Sequence, residues 1–408
     1  MKRVTYPFTT ALVVMSSLLC EAQSDLINKM MPKPVPKSPN AAELGKFGDY
    51  QVSHFTGLPS ISIPIFEAKS GGLSVPITLS YHASGNKPLD IASWVGLGWS
   101  LSGSQMTRNV NGKPDDEYYL THPLNPNPNN CTSFYYLQYE SNGGIDTEPD
   151  VYSYSFPGGG NGKFIFVNNG TYVNTSTTAP IGPAYLFPYA PIVVNRVNGD
   201  KYEITDERGV LYRFGTNASG VTSTEFTNAF NGGNPSLHAT TTWNLMDIVA
   251  PNSNDAISFT YQPVGNAYRH DVAHSWVVTD LCGTANGGSC PPPTHTFPQP
   301  AMNTDSDVNQ RGVSEILFEN GKVRFILGGA RSDATQLQYL DRIEIFELFD
   351  GKYSRQKTVK FNYSYFTNAA AGNAALKLDA VQVKDALNAV VQTYTFTYFT
   401  NTRQYTLH

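Results

Sequence analysis

From about residue 51 onward, apolar and polar positions alternate with a period of two. Ile61, Ile63 and Ile65 are interleaved with Ser62, Pro64 and Phe66. Leu73, Val75, Ile77, Leu79 and Tyr81 are interleaved with Ser74, Pro76, Thr78, Ser80 and His82. Successive side chains of a strand point to opposite faces, so this pattern predicts strands with one buried and one exposed face. Pro64 and Pro76 lack a backbone donor, so their strands are expected at an edge or with those positions turned outward. Turn signals separate the runs: Asn111-Gly112, Asn161-Gly162, Asn169-Gly170, Asn198-Gly199, Asn320-Gly321 and Asp350-Gly351. Such dipeptides supply the positive φ of tight hairpins. They predict hairpins such as Lys163–Val167 with Thr171–Val173, and Ile316–Phe318 with Val323–Leu327. No long segment has helical periodicity. Residues 122–149 and 282–310 are rich in Pro, Asn and Gly and read as long loops.

The second half repeats itself. Leu245-Met-Asp-Ile248 precedes Ile257-Ser-Phe259-Thr-Tyr261; Leu340-Asp-Arg-Ile343 precedes Val359-Lys-Phe361-Asn-Tyr363; Leu378-Asp-Ala-Val381 precedes Tyr394-Thr-Phe396-Thr-Tyr398. The Leu-to-Tyr spacings are 16, 23 and 20 residues, varying as hairpin loops do. Tyr202–Thr205, a polar turn and Val210–Phe214 form a related strand–turn–strand. A lone hairpin cannot bury its apolar face, whereas stacked copies continue one sheet. Ordinary hairpin patterning in a sandwich is the alternative.

Composition agrees with strands. Only 15% of the 408 residues are charged, and Gly, Pro, Tyr, Phe, Asn and Thr are plentiful. The fold class is therefore all-β: antiparallel sandwich-like units followed by β-hairpin repeats. The net charge of −5 and the lack of a long basic run argue against a nucleic-acid partner.

The N-terminus reads as an address. Lys2 and Arg3 precede an apolar run over Ala11 to Leu19, and Cys20-Glu21-Ala22 sets small residues before Gln23. This is the pattern of a Sec-type signal peptide over residues 1–22, too short to span a bilayer stably. A lipoprotein signal with Cys20 as the modified residue is the rival, with Leu18 and Leu19 where small residues are preferred; an uncleaved anchor is the third reading. No later segment has the roughly 18 apolar residues of a transmembrane helix, so no membrane span is expected in the mature chain. The chain is expected outside the cell or at its surface, with the periplasm as another destination. Residues 23–50, with Pro32, Pro34, Pro36 and Pro39, read as an extended leader with room for a short helix near Ala41–Phe47. Residues 51–235 read as an N-terminal β-rich domain and residues 236–408 as a hairpin-repeat domain.

Export favours disulfides. Cys282 and Cys290 flank a flexible Gly- and Ser-containing loop and are the disulfide candidate, with free thiols as the alternative; Cys131 is left over. No cysteine spacing matches a zinc site. No nucleophile elbow, zinc-protease or phosphate-loop motif occurs, so no catalytic, cofactor-binding or metal-binding residue is assigned. Gly96-Leu-Gly98 has Leu101 where a dinucleotide fingerprint needs glycine, and reads as close packing beside Trp94 and Trp99. His270 and His274 share a metal only on a helix; on a strand they stand about 13 Å apart. Asn303, Asp305 and Asp307 alternate as calcium loops begin, but lack the EF-hand glycine and glutamate. Asp115-Asp116-Glu117 is a second acidic cluster; solvated loops are the plain reading of both. Tyr135, Tyr136 and Tyr139, and Tyr185, Phe187 and Tyr189, are aromatic clusters that either stack on sugar rings or serve as core and cross-strand pairs.

Taken in order, Ser38-Pro-Asn-Ala-Ala42, Gly57-Leu-Pro-Ser-Ile-Ser-Ile-Pro64, Leu73–Ala83 and Trp94-Val-Gly-Leu-Gly-Trp-Ser100 resemble the N-terminal region of large secreted RHS/YD-repeat proteins of Gram-negative bacteria. Asp150–Pro157, Gly162–Phe166, Ile204–Gly209 and the three repeats extend the resemblance over roughly residues 38–400. It implies RHS-like hairpin repeats building an extended sheet, and no active site. It implies a structural or interaction module that scaffolds or presents others, with the remainder of a longer RHS-type polypeptide or a surface molecule as partner. An extracellular carbohydrate- or cell-surface-binding adhesin is the alternative. No run of tyrosine-aspartate repeats follows Tyr398. The chain is thus expected to be the start of a longer polypeptide or a short member, and these hairpins alone are too few to enclose a cavity-forming shell.

Overall fold

A computed structural model describes residues 60–82, 91–111, 114–115, 149–158, 160–166, 182–231, 234–251, 253–273, 277–278, 295–296, 302–366 and 374–398. The signal and leader segments, all four cysteines, His274, Asp116, Glu117, Tyr135, Tyr136, Tyr139 and the expected 167–173 hairpin strand lie outside them.

The described strands are, in chain order, β1 Ser60–Ser70, β2 Leu73–His82, β3 Trp99–Leu101, β4 Gln105–Asn109, β5 Val151–Phe156, β6 Gly160–Phe166 and β7 Ala184–Phe187. There follow β8 Val193–Asn198, β9 Lys201–Thr205, β10 Leu211–Phe214, β11 Thr224–Asn231, β12 Asn234–Val249 and β13 Ala256–Ala273. The remainder are β14 Val277–Val278, β15 His295–Thr296, β16 Met302–Phe318, β17 Gly321–Ala330, β18 Gln338–Phe349, β19 Lys352–Phe366, β20 Ala375–Asp385 and β21 Val390–Thr395. Every pairing between them is antiparallel, which makes the fold all-β as the alternation predicts.

β1, β2 and β3 form a small sheet in that order. A large sheet runs β21-β20-β19-β18-β17-β16-β11-β12-β4-β5-β6-β7, with β13 joining β12 to β16 and a β8-β9-β10 branch attached at β12. Residues 235 and 236 both lie in β12. One apolar core joins Ile63, Ile65, Val75, Ile77 and Leu79 of the small sheet to Trp243, Leu340, Ile343 and Val381 of the large one. Each such side chain contributes about 1.5–3 kcal/mol when fully buried.

The prolines behave as their chemistry requires. Pro64 lies in the edge strand β1, beside a register shift. β2 is central, but it pairs with β3 only over Leu79–Tyr81, beyond Pro76. There Ser102 substitutes for a neighbouring strand: its Oγ donates to the Pro76 carbonyl at 2.9 Å and accepts from the Thr78 amide at 2.8 Å.

Several turns fall where the dipeptides predict. Asn198-Gly199 ends β8 before β9, and Asn320-Gly321 closes β16 onto β17 with Ile316 opposite Val323. Asp350 (φ 48°) and Gly351 (φ 70°) form a two-residue turn of the primed type between β18 and β19.

Two expectations are corrected. Asn161-Gly162 is not a turn but part of β6; the reversal comes earlier, at Pro157-Gly158. Gly160 and Gly162 lie opposite Phe156 and Tyr154 on β5. A Cβ on Gly160 would lie 2.0 Å from the Phe156 ring, and one on Gly162 2.7 Å from the Tyr154 hydroxyl. The glycines therefore make room for rings leaning across the strand pair. Residues 302–310 are likewise not loop but the first half of β16. Their low β-propensity is overridden because they pair with β13 on one side and, over Thr304–Val308, with β11 on the other.

Candidate functional site

The three sequence repeats occupy equivalent positions in the large sheet. In each, the fourth residue of the first segment faces the first residue of the second: Ile248 pairs with Ile257, Ile343 with Val359 and Val381 with Tyr394. In each, the second residue of the Leu segment is skipped in the register with the preceding strand. Met246 falls between Arg213↔Asp247 and Phe214↔Leu245, Asp341 between Ile326↔Arg342 and Leu327↔Leu340, and Asp379 between Asn362↔Ala380 and Tyr363↔Leu378. Such bulges increase local twist and fix register. Leu245, Leu340 and Leu378 are fully buried.

The last residue of each copy locks the hairpin. Tyr261 Oη donates to the Leu245 carbonyl at 2.8 Å, Tyr363 Oη to the Leu340 carbonyl at 2.8 Å and Tyr398 Oη to the Leu378 carbonyl at 2.7 Å. Burial raises all three phenols above their ordinary range, Tyr398 to about 12. The sequence repeat thus encodes one hydrogen bond three times.

Residues before the repeats tie into them. Trp99 Nε1 donates to Tyr398 Oη at 2.8 Å, and its ring packs on Phe396 and Tyr81 with centroids 4.5 and 5.0 Å apart. Gly96 and Gly98 do mark close packing, but against other neighbours than expected. A Cβ on Gly98 would meet the Tyr81 ring at 2.8 Å, and one on Gly96 the Leu378 backbone at 3.2 Å. The Leu97 amide donates to the Leu376 carbonyl at 2.8 Å. Arg331, 1% exposed, is the central clamp. Its Nε and Nη2 hold both oxygens of Asp333 at 2.9 and 2.6 Å, and its Nη1 donates to the carbonyls of Ala92 and Ser93 at 2.9 and 3.2 Å. Asp333 Oδ2 also accepts from the Leu376 amide at 2.9 Å. One ion pair thereby joins the 92–93 segment, the 331–333 loop and β20.

The remaining residues singled out in the sequence are dispersed. His270 and Asp271 lie on β13, opposite Asp305 and Thr304 of β16, so this stretch is extended rather than helical. Asn303, Asp305 and Asp307 lie on β16 itself. Asp115 exchanges bonds with Asp150: each backbone amide donates to the other's carboxylate at 3.0 Å, and Arg108 stands 3.7 Å from Asp150 in a buried cluster. Among the described residues, no group of three or more His, Cys, Asp or Glu gathers to hold a metal ion, and no helix is long and apolar enough to cross a membrane. Tyr185 and Phe187 point outward from the edge strand β7, at 51% and 42% exposure, and Tyr189 just beyond its end is 85% exposed.

A feature that no local motif signals is a cavity of about 630 Å³ between the small sheet and the inner face of the large one. Trp94, Ser104, Gln105, Ser155, Phe156, Phe259, Tyr261 and Gln310 are among the residues that line it. Glu225 and Arg311 also line it, with Glu225 Oε1 accepting from the Arg311 amide at 2.8 Å. Burial pushes the Glu225 carboxyl above its ordinary range. Arg311 Nε is buried without a hydrogen-bond partner.

No protein-family model matches the sequence, and no curated protein does. Among solved structures, the crystal structure of TcdB2-TccC3 is similar at 11% identity and a TM-score of 0.44, covering 84% of this chain and 16% of that one. The crystal structure of TcdB2-TccC3-Cdc42 is similar at 12% identity and a TM-score of 0.38, covering 82% and 15%. This chain therefore spans only a small part of the length of the chains it resembles.

Proposed function

We propose that this chain is a non-enzymatic structural module of an exported RHS/YD-repeat-like protein, holding other modules in place through a continuous twisted sheet. The observation that carries this reading is the threefold recurrence of one register, one bulge and one Tyr-to-Leu-carbonyl bond. A sheet built from equivalent hairpins extends by addition and presents a rigid edge and face. Residues 1–22 supply export in this reading, and the ordered motifs from Ser38 to Tyr398 supply the family resemblance. The test is surface display of a reporter enzyme fused after His408. Its display in a Gram-negative host should require residues 1–22 and should fall when Arg331→Ala loosens the sheet at equal expression. Display indifferent to the sheet, or turnover of a hydrolase substrate panel by the purified chain, sinks the proposal.

A second reading is an adhesin, favoured by the exposed row Tyr185, Phe187 and Tyr189. Tyr185 and Phe187, alternate residues of β7, stand about 6.6 Å apart along one face, which suits successive contacts with an extended glycan. Loss of glycan-array or cell binding in a Tyr185→Ala, Tyr189→Ala double variant would support it, and unchanged binding would remove it.

A further inference from the structure

We infer that the open side of β21 and of Phe396-Thr397-Tyr398 after it is a docking edge for one kind of strand. That strand runs antiparallel and carries Leu or Val, a bulged residue, a third residue, then Ile or Val. The first strand of a further hairpin of this repeat has that form. The inference rests on the scaffold reading and names what the edge of the sheet recognises.

The rule is read from four seated pairs. Ile248 faces Tyr212 and Leu245 faces Phe214, with Met246 skipped. Ile316 faces Phe259 and Val313 faces Tyr261, with Ser314 skipped. Ile343 faces Phe325 and Leu340 faces Leu327, with Asp341 skipped. Val381 faces Phe361 and Leu378 faces Tyr363, with Asp379 skipped. Each incoming strand thus presents two apolar residues three apart, brought to one face by a bulge. The receiving strand offers a ring, a spacer and a second large residue. The four receiving rings, Tyr212, Phe259, Phe325 and Phe361, are all buried.

Phe396-Thr397-Tyr398 makes the same offer with nothing seated on it. β21 ends the large sheet, and among the described residues only β20 pairs with it. Ile257 and Phe259 of the first repeat are buried, as are Val359 and Phe361 of the second; their equivalents Tyr394 and Phe396 are half-buried. The far side of β13 is covered by β16 and that of β19 by β20, whereas β21 has no such cover. The edge is also unguarded. Exposed edges commonly carry charge or proline, as β1 does with Pro64, Glu67 and Lys69. β21 has neither, and its Val390 and Val391 are 53% and 69% exposed. The Phe396 amide donates to the Asp379 carbonyl at 2.9 Å, so strand alternation turns the Thr395 and Thr397 amides to the open side. A second folded copy is not the occupant, because the four matching segments of the described residues are already seated.

The experiment adds a fluorescein-labelled peptide copying Ala375–Asp385 to the full chain and reads anisotropy, with hydrogen exchange mapping the contact. The peptide should bind saturably and slow exchange at Thr395 and Thr397. A copy carrying Val381→Lys should bind at least about tenfold more weakly, through the loss of one buried apolar side chain. In the chain, Thr397→Pro removes an outward amide at an exposed position. It should abolish binding and leave the unfolding transition unchanged. The inference is overturned by no saturable binding, by equal binding of the Val381→Lys copy, by unchanged binding to the Thr397→Pro chain, or by protection elsewhere than at Thr395 and Thr397. The scaffold reading is judged separately: reporter display that depends on the sheet sustains it even when the peptide does not bind.

Discussion

The hydroxyl of Tyr363 on β19 donates to the backbone carbonyl of Leu340 on β18, 2.8 Å away, although the two residues are 23 positions apart in the chain. The same bond joins Tyr261 to Leu245 and Tyr398 to Leu378. Leu340 is fully buried, so its carbonyl lies where an unmet acceptor is expensive. Tyr363→Phe and Tyr261→Phe are each expected to cost about 1–3 kcal/mol. Urea unfolding of the two variants checks this; a loss below about 0.5 kcal/mol in both would mean that the recurring bond is incidental.

Arg331 and Asp333 carry charges at 1% and 4% side-chain exposure. Removing one partner strands the other, and Arg331→Ala also frees the carbonyls of Ala92 and Ser93. The expected loss is about 3–5 kcal/mol. Replacing both partners, Arg331→Met with Asp333→Leu, should recover part of it. Thermal unfolding of the single and double variants distinguishes a stranded charge from a simple packing defect, in which the double variant would be the worse.

Gly265 sits where β13 and β16 shift register, at φ 128°. A Cβ there would lie 1.8 Å from the Gln336 carbonyl oxygen. Gly265→Ala combines a disfavoured backbone with a clash against main chain, and should cost about 2–5 kcal/mol. Gly351→Asn is the control: its φ of 70° suits asparagine and nothing stands near its Cβ, so it should be close to neutral. Equal effects at the two sites in chemical denaturation would contradict the assignment.

Alkali should open the fold through buried phenols. Burial raises Tyr398 and Tyr212 from an ordinary value of 10.0 to about 12. A phenol with a raised value binds its proton more tightly folded than unfolded. Its stabilising contribution is therefore complete below pH about 10 and is lost as pH rises through about 12. Tyrosinate absorbance and circular dichroism followed together should show these last phenols ionising only as the sheet unfolds. Complete ionisation near pH 10 with unchanged dichroism would refute the burial.

The strands were legible because one face of each is buried, and burial writes period two into the sequence. Ile61–Ile65, Leu73–Tyr81 and the repeats are such cases. The repeats were legible as pattern, but not the reason for it: a phenol reaching a carbonyl on another strand leaves only a recurring Tyr in the sequence. Asn161-Gly162 misleads because its glycine answers to the Tyr154 ring opposite rather than to a turn. Residues 302–310 mislead because polar residues of low strand propensity are held by pairing on both sides. Nothing local in the sequence marks Arg331 as a buried cation, because its partners lie near residues 92, 333 and 376. The cavity had no sequence signal either, since its lining is assembled from positions between 75 and 325.

The central claim is that one continuous sheet unit, locked by the Tyr–Leu bonds and by Trp99 on Tyr398, runs through all three repeats. Hydrogen exchange under mildly denaturing conditions, read at Leu79, Ile248, Ile343 and Val381, tests it most directly. The account predicts a single class of slowly exchanging amides whose opening energies fall together in Arg331→Ala. Two classes that separate near residue 235, with only one responding to Arg331→Ala, would contradict it.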